Sequence, residues 1–595
     1  MKSFIKYTLA TICGILILTI VAGIIFMVSL AGILASGKST TQVKENSVFV
    51  LKMNGNVNER SESGSPLNEL LGQADMEAMG LDDILASIKK AKEQDDIKGI
   101  YIEGGLSSFD APATAQQIRD ALADFKKSGK WIIAFADSYT QGSYYIASVA
   151  DSVFLNKTGV IELKGLGGKS EYMTGLYEKI GLKYMPVRVG KYKSYVESVT
   201  RKDMSPEDRE QKEAYLQGIW QHWLKDIADS RKLTAAAIDN MVSDSILALA
   251  NPQDYIKGKL VDRLMYPEGI KKVISKKLGL NEDDEINQLT LSDMINVPTK
   301  EKDSGDEVAV YYAYGEIVDQ VTSLFSTGSN IIGNTMVEDL HKLAKDDEVK
   351  AVVLRVNSPG GSAVASEQIW HAIKQLKEKK PVVVSMGGVA ASGGYMISAG
   401  ANYIFAEPTT ITGSIGIFGL IPNVSVLATD KLGVTFDGVK TNRYTDFEEN
   451  LIFGKDNAEE IKFLQTYVDR GYDTFLSIVA DGRKMKKAEV NEIAQGRVWL
   501  AKDALGIKLV DKLGSLDDAL KKAAELAKLT DYHQKSYPAP ASWYEQLMSS
   551  EKKGSYLDTE LREVLGDLYQ HILDLRRDQQ RNRLQARLPM DLSVK

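Results

Sequence analysis

Two glycine-rich loops in the second half of this 595-residue chain carry the residue types that acyl transfer requires. In Met386–Ser398 (MGGVAASGGYMIS), Ser392 stands among residues too small to shield it, shortly after the apolar run Pro381–Met386. A serine that opens a helix would feel the positive end of its dipole, and the N–H of Gly393 could help to hold a developing oxyanion. The other loop, Asn357–Ser366 (NSPGGSAVAS), follows the run Ala351–Val356. Pro359 fixes one φ, and Gly360 and Gly361 allow a close backbone approach, so their N–H groups could face the same oxyanion. Each loop also has a plainer reading, a tight turn with a helix cap for Asn357–Ser366 and a mere N-cap for Ser392.

A nucleophilic serine needs a base. The five histidines are His222, His341, His371, His533 and His571, and His371 is the nearest to Ser392 in sequence. The amphipathic register of Ser366–Lys380 puts it on the solvent side, so a Ser-His-Asp triad is poorly supplied. The single cysteine, Cys13, sits in an apolar run, which excludes disulfides, thiolate catalysis in the soluble part and cysteine zinc sites. No histidine belongs to an HExxH pair, and the loop Asn357–Ser366 is neither a GxGxxG nor a GxxxxGK[ST] motif, so neither a metal nor a phosphate cofactor is expected. The net charge of -7 is mild and dispersed, and no nucleic-acid partner is expected.

The elements that must position these loops form a tandem repeat. DDIKGIYI (Asp95–Ile102) resembles DEVKAVVL (Asp347–Leu354), and TQGSYYIASVADSVFL (Thr140–Leu155) lines up with AASGGYMISAGANYIFA (Ala390–Ala406). ADSRKL (Ala228–Leu233) matches ADGRKM (Ala480–Met485), and IKGKLVDRL (Ile256–Leu264) matches LGIKLVDKL (Leu505–Leu513). Ordered matches at a near-constant spacing mean two copies of one domain. Within the second copy, Ala351–Val356 reads as a buried strand, Ser366–Lys380 as an amphipathic helix and Pro381–Met386 as the next strand. This rhythm predicts an α/β fold with largely parallel strands. Ser205 and Pro206 predict the start of a long helix.

The organisation follows. Residues 1–46 comprise a stub and an uncharged apolar run over 7–36, too long for a cleaved signal and long enough to span a bilayer. Lys2 and Lys6 precede it, which predicts a cytoplasmic N-terminus with the body on the other side of the membrane. Residues 47–300 and 301–540 are the two repeats, with an acidic linker near Glu282–Asp306. Residues 541–595 are a charged tail in which Leu565, Leu568, Ile572 and Leu575 share one face of a predicted helix, fit for a partner helix or for capping the domain.

The copies differ where chemistry is expected. Gly142 aligns with Ser392, and Lys193 aligns near Tyr444–Thr445, where no lysine stands. One composite site shared between the halves would leave that pattern, although a lone lysine is more commonly a solvated surface charge.

SPGGS, MGGVAASGGYMIS and TGSIGIFG in the second copy, with GKYKS and the SPEDRE helix in the first, resemble the signal peptide peptidase A (protease IV) family in its long, membrane-anchored, tandem form. The resemblance runs from the anchor to about residue 530. It implies a Clp-protease/crotonase-like fold of spiral ββα units and a homotetramer at the inner membrane, with the catalytic domains on its periplasmic side. It also implies a serine endopeptidase that degrades remnant signal peptides. By motif, Ser392 is the nucleophile and Lys193 the general base, with Ser414 orienting the amine and Gly361 and Gly393 serving the oxyanion. Lys191, two residues earlier, would point the same way on a strand, and only the motif separates the two lysines. A crotonase-type hydratase would share the fold but would need carboxylates beside the glycine loops, and the loops contain none. A non-catalytic membrane scaffold would share the fold without a reactive serine.

Overall fold

The computed structural model describes residues 40–61, 79–244, 247–299, 305–319, 330–539 and 585–587, together with Gly14. The rest of the apolar run 7–36 and most of the tail, including its predicted amphipathic face, lie outside the described residues. Among the described residues no helix is long and apolar enough to cross a membrane.

In the first half, β1 (Ser47–Asn58), β2 (Met79–Gly80), β3 (Ile97–Phe109), β4 (Trp131–Ala136), β5 (Ser152–Leu155), β7 (Arg263–Leu264) and β8 (Gln288–Leu289) form one parallel sheet. Helices α1 (Leu81–Glu93), α2 (Pro112–Lys126) and α3 (Gln141–Ala147) connect its central strands. The intervening β6 (Lys183–Arg188) leaves this sheet, and α4 (Pro206–Arg231) follows it.

The second half repeats the plan with β9 (Asp306–Tyr314), β12 (Val349–Ser358), β14 (Val382–Ala391), β15 (Tyr403–Ala406) and β16 (Ile411–Gly413), and β18 (Val498–Leu500), β19 (Lys512–Leu513) and β20 (Tyr532–Tyr537) complete the sheet. Its helices include α6 (Ala363–Lys377), α7 (Gly393–Ala399) and α8 (Ala458–Arg483). Strand β12 is buried at every position except Lys350, as expected of a strand covered on both faces. A third sheet, ordered β11-β10-β13-β21-β17-β6, brings together β10 (Glu316–Val318), β11 (Asn330–Ile332), β13 (Gly360–Ser362), β17 (Phe418–Asn423), β21 (Gln585–Arg587) and the stray β6.

The repeat extends to individual side chains. Arg231 pairs with Asp262 at 2.8 Å, and Arg483 with Asp511 at 2.6 Å. The Tyr144 hydroxyl donates to the Leu260 carbonyl, and the Tyr395 hydroxyl to that of Leu509. This equivalence shifts the sequence alignment by one residue. Tyr144 is the counterpart of Tyr395, so Gln141, not Gly142, stands where Ser392 does.

The halves share apolar surface. Val389, Ala391, Ile411, Val498 and Leu500 of the second half are buried in the core of the first, and Val187 of the first is buried in that of the second. Antiparallel pairing of β6 with β17, from Arg188 opposite Phe418 to Lys183 opposite Asn423, stitches them further. The linker is also more ordered than its composition suggests. Strand β8 pairs with β1, and Lys90 Nζ on α1 caps the end of α5 (Leu291–Ile295) at the carbonyls of Met294 (3.1 Å) and Ile295 (2.7 Å).

Candidate active site

Strand β14 ends at Ala391 and α7 starts at Gly393, so Ser392 forms the whole turn between them. Its φ of 57° and ψ of −116° lie in a region that L-residues seldom occupy, a strain of order 1–3 kcal/mol that persists only where the surroundings over-determine it. The Ser392 N–H donates to the Gly413 carbonyl at 2.8 Å, which pins the turn to β16. Its hydroxyl makes no cap bond to α7, so the plain N-cap reading of Ser392 fails. The first residue of a helix has an N–H that the helix cannot use, and Gly393 holds that place. Gly394 must be glycine here, because a Cβ would stand 2.6 Å from the Ser358 carbonyl oxygen.

The SPGG turn packs under the same helix. Ser362 caps α6 by accepting from the Ala365 N–H at 3.2 Å, so this loop is both a cap and a close backbone approach. Gly361 has a φ of 155°, and a Cβ there would meet the Ile317 carbonyl oxygen at 2.0 Å. It pairs with Ile317 of β10 on one side and with Ala586 of β21 on the other.

Lys193 arrives from the other half. After β6 the chain turns rather than continuing as a strand, and the turn separates two lysines that an extended chain would have left parallel. Lys191 is exposed over the Tyr192 ring, whereas Lys193 is fully buried. Helix α4 fixes this turn at its first residues. Ser205 caps it by accepting from the Asp208 N–H, Asp208 accepts from the Ser194 hydroxyl at 2.5 Å, and Gln211 Nε2 holds the Tyr192 carbonyl at 3.1 Å. The start of α4 therefore holds both neighbours of the lysine, Ser194 by its hydroxyl and Tyr192 by its carbonyl.

Lys193 Nζ lies 2.7 Å from Ser392 Oγ, 3.0 Å from Ser414 Oγ and 3.1 Å from the Ser414 carbonyl. No carboxylate joins these partners; the Phe418 ring stands 5.9 Å away. Burial strips the amine of water and pushes its pKa well below the ordinary lysine value, with nothing opposing. The structure thus brings Ser392, Lys193 and Ser414 together, with Gly393 and Gly361 on the adjoining turns. An unprotonated amine in this position can take a hydroxyl proton.

The described histidines are engaged elsewhere or exposed. His222 lies by Asp226, His341 by Gln375 and His533 by Glu307, and His371 is exposed on α6. Among the described residues no group of His, Cys, Asp and Glu side chains could hold a metal ion.

In the first half, the residue in the serine's place, Gln141, is buried and occupied: its Oε1 accepts from the N–H groups of Lys164 and Gly165, both at 2.9 Å. The equivalent position therefore offers no second nucleophile.

A buried polar cluster beneath the loops was not visible in the sequence. Arg355 donates to Glu59 (2.5 Å), Gln117 (2.8 Å) and Ser385 (3.0 Å). Asn357, at the start of the SPGG turn, donates to Glu59 (2.9 Å) and Asp110 (2.8 Å) and accepts from the Val389 N–H (3.0 Å). So carboxylates do stand behind the glycine loops, contributed by the first half, but they are committed to an arginine and an amide. Burial, reinforced by the Glu59 charge, raises Asp110 to about 6, and burial raises Glu407 to about 8. The signal was faint: Glu59 and Arg355 are 296 residues apart, and only Asn357 lay within a motif.

The model of peptidase family S49 matches the chain twice, over residues 124–281 and 374–530, and that of Clp protease matches residues 307–411. Protease 4 of Salmonella typhi is 37% identical over 79% of this chain and 75% of its own length. Protease 4 of Haemophilus influenzae is 34% identical over 84% of this chain and 83% of its own length. The chloroplastic serine protease SPPA of Arabidopsis thaliana is 28% identical over 82% of this chain and 70% of its own length.

Proposed function

The chain belongs to peptidase family S49 and is a serine peptidase, and on that footing we propose that Ser392 is its nucleophile and Lys193 its general base. The observation that carries this is the 2.7 Å contact between a fully buried amine with no carboxylate partner and the hydroxyl of a strained turn. Neutral Lys193 takes the Ser392 proton as Oγ attacks the peptide carbonyl. Backbone N–H groups of Gly361 and Gly393 receive the oxyanion. Lys193 then returns the proton to the leaving amine, and water releases the acyl group by the same route. Ser414 orients the amine through its hydroxyl and carbonyl. Nothing in this sequence of steps calls for a metal or a cofactor.

The substrates in this reading are remnant signal peptides and other apolar, extended peptides left at the membrane after export. Its support is the resemblance of the motifs and the uncharged run over 7–36, which would anchor the chain as a single-pass protein of the inner membrane with its domains outside the cytoplasm.

Assembly into a homotetramer is part of the same reading, and the repeat supports it. Gly181 and Gly433 are equivalent at an offset of 252, so β6 corresponds to 435–440, and β17 to 166–171. The β6–β17 pairing is made within the chain. Its counterpart is not, and both segments are largely exposed, with Leu432, Val434, Phe436 and Val439 at the surface. A second copy offers each segment its partner, head to tail, the kind of interface that forms a ring when its rotation closes.

The test is hydrolysis of an apolar peptide by the wild type and by Ser392→Ala and Lys193→Ala chains that keep the native circular dichroism. Loss of turnover in both supports the dyad; turnover retained in either refutes it.

A further inference from the structure

Lys193 is a base only if its lone pair faces Ser392. A neutral lysine amine has two N–H donors and one lone pair, and here it has three partners. The Ser414 carbonyl can only accept, so it takes one N–H at 3.1 Å. The Ser414 hydroxyl must then receive the other, at 3.0 Å, to leave the lone pair for the Ser392 hydroxyl. Both contacts that turn the amine thus come from Ser414, whose φ of 51° is one that L-residues seldom adopt. The placement of Ser414 against the lysine turn therefore decides whether the base works.

One short segment of the second half touches both. The Gln495 carbonyl accepts from the N–H of Tyr192 at 3.0 Å, and the Arg497 carbonyl accepts from the N–H of Ser414 at 2.7 Å. Between them Gly496 lies against Lys193 itself, where a Cβ would stand 2.6 Å from the lysine Cβ. The Arg497 side chain closes the arrangement from outside. Its guanidinium stands 4.8 Å from the centre of the Tyr192 ring and 4.5 Å from that of Trp499. It donates to the Tyr192 hydroxyl at 3.0 Å and pairs with Glu210 of α4 at 2.8 Å, and the same hydroxyl donates to Glu210 at 3.0 Å.

The repeat separates what serves the site from what serves the fold. At the offset of 249 that relates β19 to β7, Gly496 and Arg497 correspond to Leu247 and Ala248. At the offset of 252 that relates α8 to α4, Glu210 corresponds to Lys462. The counterpart of this junction, where no lysine base stands, therefore has neither member of the ion pair. We infer that Arg497 is a positioning residue for the general base: it latches the Tyr192–Lys193 turn of one half to the Ser414 turn of the other, which keeps water from the amine and its lone pair on Ser392. This role presupposes the proposed dyad. Without the guanidinium the two turns can part, and water that reaches the amine again favours its charged form. The partners of Arg497 lie outside β13 and β17, so the loss should fall on kcat and not on KM.

The experiment records kcat and KM for an apolar fluorogenic peptide across pH 5 to 9.5, with the full chain and its Arg497→Met, Arg497→Lys and Tyr192→Phe variants, each checked by circular dichroism. In Arg497→Met, kcat at pH 7 should fall about tenfold to a hundredfold at equal KM. The acid limb of kcat/KM, which reports the base of the free enzyme, should move up by about one pH unit. Arg497→Lys keeps the charge toward Glu210 without the flat face between the rings, and its effect should be smaller. Tyr192→Phe removes only the bridging hydroxyl and should shift the limb the same way by less. Unchanged kcat in Arg497→Met, or a loss equal at every pH, would overturn the inference and leave the dyad standing. If that chain does not fold, an unshifted limb in Tyr192→Phe would do the same. Turnover that survives Lys193→Ala would instead overturn the dyad.

Discussion

Replacing Lys193 by methionine should destroy turnover and yet make the protein more stable at neutral pH. The side chain is fully buried, and its surroundings supply hydroxyls, a carbonyl and an aromatic ring but no negative charge. Stripping the proton from an ordinary lysine at pH 7 costs roughly 4–5 kcal/mol, at about 1.36 kcal/mol per pH unit. The folded chain bears that cost whenever it holds Lys193 neutral. Methionine fills a similar volume without it, but leaves the Ser392 and Ser414 hydroxyls short of a partner, a loss of about 1–3 kcal/mol. The net gain is therefore ~2 kcal/mol at pH 7. The sign of the pH dependence follows from the depressed value. Between the lowered pKa of Lys193 and the ordinary lysine value, the unfolded chain binds a proton that the folded chain does not, so wild-type stability rises with pH. The advantage of Lys193→Met should shrink by about 1.4 kcal/mol per pH unit as pH climbs from 7, vanish at about pH 8.5 and turn into a disadvantage above it. Thermal unfolding of both chains across that range reads the gap directly. A gap that does not change with pH, or a wild type already the more stable at pH 7, would mean that the buried amine is charged, and the reasoning would be wrong.

Other outcomes follow from the same contacts. Lys191→Ala should retain most activity in the peptide assay, because that side chain is exposed over Tyr192 and touches none of the site. Gly394→Ala should lower kcat by tenfold or more on the scale of misplaced reacting groups, since its Cβ would stand 2.6 Å from the Ser358 carbonyl oxygen and push α7 away from the SPGG turn. Steady-state kinetics on a folded variant checks it. Glu59→Gln should lower stability by about 3–5 kcal/mol, because it leaves the Arg355 guanidinium buried without its counter-charge. Calorimetry would show the loss as a lower unfolding midpoint.

The repeat, the α/β rhythm and the long capped helix were legible because each is a local pattern of spacing. The strand read at Pro381–Met386 runs on to Ala391, since GGVAA gave no apolar alternation to mark it, yet it pairs with β16 up to the residue before Ser392. Ser392, Ser414 and Lys193 could be singled out by motif, but the separation of Lys193 from Lys191 required the turn after β6, which no periodicity announced. Aligning Gly142 with Ser392 was off by one residue because glycines surround both positions; the tyrosine hydroxyl bonds set the true register. The acidic stretch near residue 290 looked like a linker because its apolar residues are few, although Leu289 and Met294 are buried against the first half. Contacts such as Glu59 with Arg355, or β21 with Gly361, join segments hundreds of residues apart, and nothing in either segment signals its partner.

The central claim is that Lys193 is already neutral at physiological pH and for that reason activates Ser392. The rate at which a fluorophosphonate labels Ser392, measured from pH 7 to 9.5, tests it most directly. The account predicts labelling that is nearly flat over this range and is lost in Lys193→Ala. A rate that climbs about tenfold per pH unit toward the ordinary lysine value, or labelling undiminished without the lysine, would contradict it.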